Sequence, residues 1–254
     1  MKRSVDAGKP FFLYFNHSLM HMPTIPRPEF KGKSGQGDWA DCLPQLDSAE
    51  GTQGRDNTIV VFSGDNGPEE LETWRGHPGF FDGSYFTGME GSLRTPCIVR
   101  YPGRVPAGKQ NNDIVHITDM FTTLLRWSGA DVPTDRVIDG GDQRSFLEGK
   151  QESSARDGFP YWVGDTLYGV RWRNFKMVLY LQKELTEPAL KLATPHVINL
   201  IVDPKERKAI DLPYIHSWTA AHFGKIMKEF AASVKRESLI PAGAPLDHVP
   251  VRKI

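Results

Sequence analysis

The chain has 254 residues, long enough to bury a sizeable core without disulfide support, so a staple-dependent miniprotein is excluded. Lys plus Arg and Asp plus Glu each total 31, which leaves no basic field to draw nucleic acid or an anionic membrane. With 39% hydrophobic residues, 24 Gly and 19 Pro, the composition is that of a loop-rich globular protein rather than a helical bundle or a disordered chain.

Cys42 and Cys97 are the only cysteines, too few for a disulfide framework or a four-cysteine zinc site, and they leave the redox compartment undecided. No apolar run has the length of a membrane span. Asp6 stands where a signal peptide would turn apolar, so no signal peptide is expected and the localisation stays unknown.

In chain order, the continuous run Phe11 to Phe15 after Lys9-Pro10 predicts a strand buried on both faces. Asp38 to Glu50 has helical spacing through Trp39, Cys42, Leu43 and Leu46, interrupted by Pro44. A β-branched strand, Thr58 to Phe62, ends in the turn formers Ser63-Gly64-Asp65-Asn66-Gly67-Pro68, and Cys97 to Tyr101 is a shorter third strand. Asp119 to Ser128 is a helix with an apolar stripe of Met120, Phe121, Leu124, Leu125 and Trp127, capped by Thr118 or Asp119 and stopped by Gly129. Strands alternating with helices predict an α/β sheet.

The texture changes across the loop-rich stretch from 130 to about 157, which divides the chain into 1–150, a partial α/β domain, and 151–254, a small α+β domain. In the second part Tyr161-Trp162, Thr166 to Trp172, Phe175 to Leu181 and Val197 to Ile201 read as short strands of an antiparallel meander. A helix from Ser217 with Phe223, Ile226, Met227, Phe230, Ala231 and Val234 on one face would cover that small sheet.

The stretch from Ser63 to Pro68 carries the most chemistry. A carboxylate and a carboxamide at a strand's carboxyl end offer hard oxygen ligands to calcium or magnesium, although the same residues also make a good turn. His17 and His21 follow directly on the first run and can face the same crevice, or be hydrogen-bonded loop residues. A zinc reading of their spacing needs a helix, which Pro23 and Pro26 oppose.

Together these pieces resemble the arylsulfatase family, of alkaline-phosphatase-like fold. The blocks are Pro10 to Phe15, His21-Met22-Pro23, Phe30 to Ser34, Gly37 to Asp41, Gln45-Leu46-Asp47, Asp56 to Pro68, Glu90-Gly91-Ser92-Leu93-Arg94-Thr95-Pro96, Arg100 to Gly103, His116 to Met120 and Asn199 to Pro204. They run in the family's order from residue 9 to about 205. The resemblance implies an alkaline-phosphatase-like sheet, present in part, with a small carboxyl-terminal antiparallel sheet packed by one helix. It also implies a bound calcium and hydrolysis of sulfate esters through a formylglycine made from Cys or Ser. Asp65 and Asn66 match the metal ligands, and His21 matches the histidine that holds sulfate and assists the leaving group; His17 is a further substrate-binding candidate.

The sequence departs from the family in three places. No Cys or Ser stands in a Cys/Ser-x-Pro/Ala-x-Arg motif. Tyr85 occupies the position where many members carry a sulfate-binding Lys, and Asp47 to Asp56 is short for the helix the family places before the metal strand. Met1 thus resembles an internal start, and the chain is expected to bind metal weakly and to self-associate or bind a complementary amino-terminal fragment. The alternatives are a non-catalytic sulfatase-like scaffold, or a different ester or phosphoester hydrolase using Ser63, Ser84 or Thr87 near Asp65 and His21. No Gly-x-Ser-x-Gly elbow supports the last.

Overall fold

The structure is a computed structural model that describes residues 1–48, 55–69, 76–207 and 215–237, with 239–241, 243–245 and 247–248 beyond them. Its first part has a short exposed helix α1 (Lys2–Asp6), then α2 (Asp38–Ser48), β1 (Val60–Ser63), α3 (Glu90–Leu93), β2 (Cys97–Arg100), α4 (Asp119–Ser128) and α5 (Arg144–Leu147). The second part has β3 (Gly158–Val163), β4 (Thr166–Trp172), β5 (Phe175–Leu181), β6 (Leu190–Asn199) and α6 (Ala220–Arg236). No described helix is long and apolar enough to cross a membrane.

The meander is as expected: β3-β4-β5-β6 pair antiparallel in sequence order. Gly164, at φ +56°, turns β3 into β4. Arg173, at φ +46°, turns β4 into β5, and its main-chain N–H and guanidinium donate to the Asp157 carbonyl (2.8 Å) and carboxylate (2.9 Å). Residues Tyr168 to Trp172 of β4 are all buried, because both faces of the sheet are covered. On one face Val170, Trp172, Phe175, Met177 and Val197 pack against Phe223, Ile226 and Met227 of α6. That helix begins at Ala220, after a tight turn over Ser217–Thr219, and Ala231 of the expected stripe stays exposed.

The opposite face of the sheet carries Tyr161, Arg171, Lys176, Val178 and Ile198, and it packs against the segment around α3. Gly169 makes the close fit possible. A Cβ there would lie 2.3 Å from the Tyr161 hydroxyl, which crosses the strand and donates to the Met177 carbonyl at 3.0 Å.

The first part differs from expectation most clearly at its first apolar run. Phe11 to Phe15 forms no strand: Phe12 is 83% exposed and Tyr14 77%, and no chain pairs with the run among the described residues. A strand buried on both faces needs partner strands on its edges, and among the described residues no strand flanks this run. β1 and β2 form a two-stranded antiparallel ribbon, Val60 opposite Arg100 and Ser63 opposite Cys97, with Ile98 exposed. The helix at Asp38 forms despite Pro44, while Glu50, its expected end, lies outside the described residues, as does much of Asp47 to Asp56.

α4 has the expected bounds, and Gly129 ends it in the left-handed region at φ +82°. Its buried face is more polar than the expected stripe: Asp119, Met120, Thr122, Thr123 and Trp127 are buried and Phe121 is half exposed. The buried Asp119 carboxylate explains why. It accepts hydrogen bonds from the guanidinium of Arg156 (2.9 and 3.0 Å), the N–H of His116 (2.9 Å), the N–H of Gly141 (2.8 Å) and the Gln143 amide (3.1 Å). Burial raises the carboxyl's affinity for a proton, but Arg156 and the backbone donors outweigh it and hold Asp119 below the usual range. The His116 to Met120 block is thus a structural joint between α4, the 139–143 loop and the start of the second part.

Candidate functional site

β1 delivers its carboxyl end into an exposed loop, as the turn formers require. Asp65 and Asn66 are both exposed. The Asp65 carboxylate accepts the N–H of Asn66 at 2.9 Å through one oxygen. The Asn66 side chain donates its amide to the Gly67 carbonyl at 2.9 Å, which ties the nitrogen end of the carboxamide of an exposed residue and leaves its oxygen as the acceptor. The loop therefore presents two hard oxygens from adjacent residues.

What holds the loop lies behind it. Gly67 donates its N–H to the Ser92 carbonyl at 2.8 Å, and the Pro68 carbonyl accepts the N–H of Tyr85 at 2.9 Å. A Cβ on Gly67 would sit 1.9 Å from the Gly91 carbonyl oxygen, so the loop backbone lies directly on α3. Gly91 in turn rests on the 82–83 backbone, where a Cβ would come 2.5 Å from the Asp82 carbonyl oxygen, and it donates its N–H to that oxygen at 2.9 Å. Small residues at 67 and 91 are thus a packing requirement.

Glu90, the first residue of α3, is 2% exposed and sits among three cations. Arg94 donates to its carboxylate at 2.6 Å, Arg171 pairs with the same oxygen, and the Lys176 ammonium lies 3.4 Å from the other. Lys176 is fully buried and faces Glu206 at 2.7 Å as an ion pair, without the alignment of a hydrogen bond. It also lies 4.9 Å from the centre of the Tyr161 ring. The second oxygen of Glu206 accepts the N–H of Glu90 at 2.6 Å.

The two carboxyls titrate in opposite directions. Burial pushes Glu90 up, but Lys176, Arg171 and Arg94 together prevail and hold it at about 2. Glu206 is raised, because its burial, with the nearby Glu90 charge, outweighs what Lys176 supplies.

None of the remaining candidates has a side chain that bonds Glu90 or Glu206 among the described residues. His21 is exposed in a loop, its Nδ1 2.8 Å from the Met22 carbonyl, an arrangement that places the proton on Nδ1 and leaves Nε2 outward. His17 is half-buried, accepts the N–H of Leu19 at 2.9 Å and meets the Phe15 ring edge-on. No hydrogen bond or ion pair joins either histidine to Asp65 or Asn66 among the described residues. Tyr85 is half-buried against Phe86, whose φ of +66° is rare for an aromatic residue and leaves its ring exposed beside the loop. Of the alternative nucleophiles, Ser63 bonds the Gly64 carbonyl and Thr87 bonds that of Ser84 at 2.8 Å, while Ser84 is itself buried. None is aimed at a base.

The sequence matches the family described as N-sulphoglucosamine sulphohydrolase, C-terminal, over residues 76–212, more than half the chain. The chain belongs to that sulfatase family. Among curated relatives of this sulfatase chain, the N-acetylgalactosamine-6-sulfatase of Canis lupus familiaris is 34% identical over 188 residues, 69% of this chain and 35% of the relative. The steryl-sulfatase of Rattus norvegicus is 33% identical over 68% of this chain and 32% of its own length. The PsFucS1 sulfatase from Pseudoalteromonas sp. superposes with a TM-score of 0.83 at 29% identity, covering 92% of this chain and 50% of that one. The chain thus spans about a third of the curated relatives and half of that structure. The matched region takes in α3, β3 to β6 and Glu206, and so the buried ion cluster that backs the loop.

Lys176, Arg171 and Glu206 escaped sequence reasoning. A signal existed for Lys176: it interrupts an apolar strand at an inward position, which is tolerable only if a buried acid meets it. The oxygens of Asp65 and Asn66 suit a hard divalent cation in chemistry. In number they fall short of the six to eight that calcium takes, and no group of three or more His, Cys, Asp or Glu able to hold a metal occurs among the described residues.

Proposed function

We propose that this chain forms one wall of the site of an arylsulfatase-type sulfuric ester hydrolase. The observation that supports it most is the Asp65–Asn66 loop: hard oxygen donors on two exposed residues at a strand's carboxyl end, backed by α3 with the Glu90–Gly91 pair beneath it. In this reading Asp65 and Asn66 hold calcium or magnesium, weakly when only these two side chains contribute. A divalent ion bound there supplies positive charge to sulfate oxygens.

As an imidazolium, protonated on Nε2 as well as on Nδ1, His21 stands to donate to a sulfate oxygen and to give its Nε2 proton to the departing alkoxide or phenoxide, leaving the neutral ring held at Nδ1 by the Met22 carbonyl. Tyr85 and His17 contact the substrate, Tyr85 as a neutral hydroxyl where a cation would otherwise balance sulfate. Hydrolysis itself requires a nucleophile in a Cys/Ser-x-Pro/Ala-x-Arg motif, which no residue of this chain provides. The exposed run from Phe12 to Phe15 offers a seat for a complementary sulfatase segment or for a second copy.

The test is hydrolysis of an aryl sulfate by this chain, alone and co-expressed with a complementary amino-terminal sulfatase segment carrying that motif. Turnover only in combination, lost in Asp65→Ala, is expected; turnover by the chain alone, or indifference to Asp65→Ala, overturns the reading. Tyr85 favours one second reading, a scaffold that keeps the fold without turnover, and inactivity of a combination that binds calcium through Asp65 would select it.

A further inference from the structure

The Asp65–Asn66 loop is held by residues more than a hundred positions away. Glu206, itself in the left-handed region at φ +55°, reaches the N–H of Glu90 at the head of α3, a donor that a helix start leaves unpaired. Lys176, wholly enclosed, sits between the carboxylates of Glu206 and Glu90. α3 is one turn long, and its Ser92 carbonyl takes the Gly67 N–H next to Asn66. No side chain separates Gly67 from Gly91, so a shift of α3 passes to the loop backbone without a flexible group to absorb it.

We propose that Lys176 and Glu206 are positioning residues for the Asp65–Asn66 loop, acting through the head of α3. An interface needed only for stability could be apolar: well-packed hydrophobic residues often replace a buried ion pair at no loss. Charges instead fix direction and distance, because all four carboxylate oxygens here are engaged: one of Glu90 by Arg94 and Arg171, the other by Lys176, and those of Glu206 by Lys176 and the Glu90 N–H. The loop's register therefore depends on the far sheet, and a sulfatase-type site inherits its geometry from β5 and from the turn after β6. The metal-binding part of this inference rests on the reading of Asp65 and Asn66 given above; the backbone part does not.

The test compares the wild type, Lys176→Met, Glu206→Gln and the double variant K176M/E206Q, which removes both charges and so avoids stranding either one. Amide hydrogen exchange at Gly67 and Tyr85 reports the loop, exchange in β3 to β5 reports the sheet, and Tb3+ luminescence titration reports the two oxygens. In the double variant, positioning gives sheet exchange near wild type with Gly67 exchange faster by about tenfold or more, as loss of one backbone hydrogen bond allows. Terbium affinity falls with it.

Unchanged Gly67 exchange, or a uniform rise across sheet and loop, overturns positioning and leaves a structural role only. If Asp65→Ala fails to alter terbium binding, the metal reading fails while the exchange result still decides the positioning. Should the double variant not fold, Glu206→Asp keeps the charge and shortens the arm, and it is read against the same exchange ratios.

Discussion

Substituting Gly67 by alanine tests the contact between the loop and α3 directly. The new Cβ would lie 1.9 Å from the Gly91 carbonyl oxygen and 2.8 Å from both the Gly91 carbonyl carbon and the Ser92 Cα. An ordinary carbon to carbonyl-oxygen approach is about 3.3 Å, so the two backbones must part by about 1.4 Å. No rotamer change relieves this, since every atom named is backbone. Such a displacement carries the 2.8 Å bond from Gly67 to Ser92 past the useful range of about 3.2 Å.

Losing that bond costs about 1 kcal/mol and the overpacking about 1–3 kcal/mol, about 2–4 kcal/mol together. Urea unfolding should show the midpoint falling with the slope unchanged. Gly224→Ala, in the open on α6, is the control: nothing lies within 4 Å of its Cβ, and helix propensity should make it neutral or stabilising by about 1 kcal/mol. A Gly67→Ala cost below about 0.5 kcal/mol would refute the contact and with it the account of how the loop is held.

Glu90→Gln leaves Arg171 and Lys176 buried without their shared partner and should cost about 3–5 kcal/mol, against a smaller loss for Glu206→Gln, whose ionised form burial already penalises; paired urea titrations measure both. Acid unfolding should show the same asymmetry. Glu90 is held at about 2, below its ordinary 4.5, so its contribution of about 3 kcal/mol is complete above pH 4.5 and is lost as pH falls from there towards 2. Glu206 has the opposite sign: stability rises as pH falls through its raised value, and Glu206→Gln should abolish that rise in stability measured against pH. Phe12→Ser with Tyr14→Ser should leave the unfolding midpoint in place, because both rings are exposed, and should reduce self-association seen by light scattering.

What could be read from sequence was what local chemistry decides. α4 was legible because Asp119 and Gly129 mark its ends, and the meander because short apolar strands are separated by turn signals such as Arg173-Asn174. The last strand was read as Val197 to Ile201, whereas β6 is Leu190–Asn199; it contains Pro195, which an edge strand tolerates because a missing N–H there breaks no ladder. Phe11 to Phe15 was read as a buried strand from composition, yet burial depends on neighbours that no local pattern supplies.

At the site, the position of Asp65 and Asn66 followed from a strand running into turn formers. The backing of that loop did not. Glu90 carried a motif, but its partners Lys176 and Glu206 lie 86 and 116 positions further on, and only the folded sheet brings them to it.

The most direct test of the central claim, that Asp65 and Asn66 form part of a divalent-metal site, is a calcium titration of the purified chain followed by NMR. The resonances to follow are the Asn66 side-chain amide and the backbone of Asp65 to Gly67. Weak, saturable shifts confined to this loop and abolished by Asp65→Ala are expected, because two side chains supply only part of a calcium shell. Tight calcium binding that survives Asp65→Ala, or shifts that appear elsewhere and leave this loop unmoved, would contradict it.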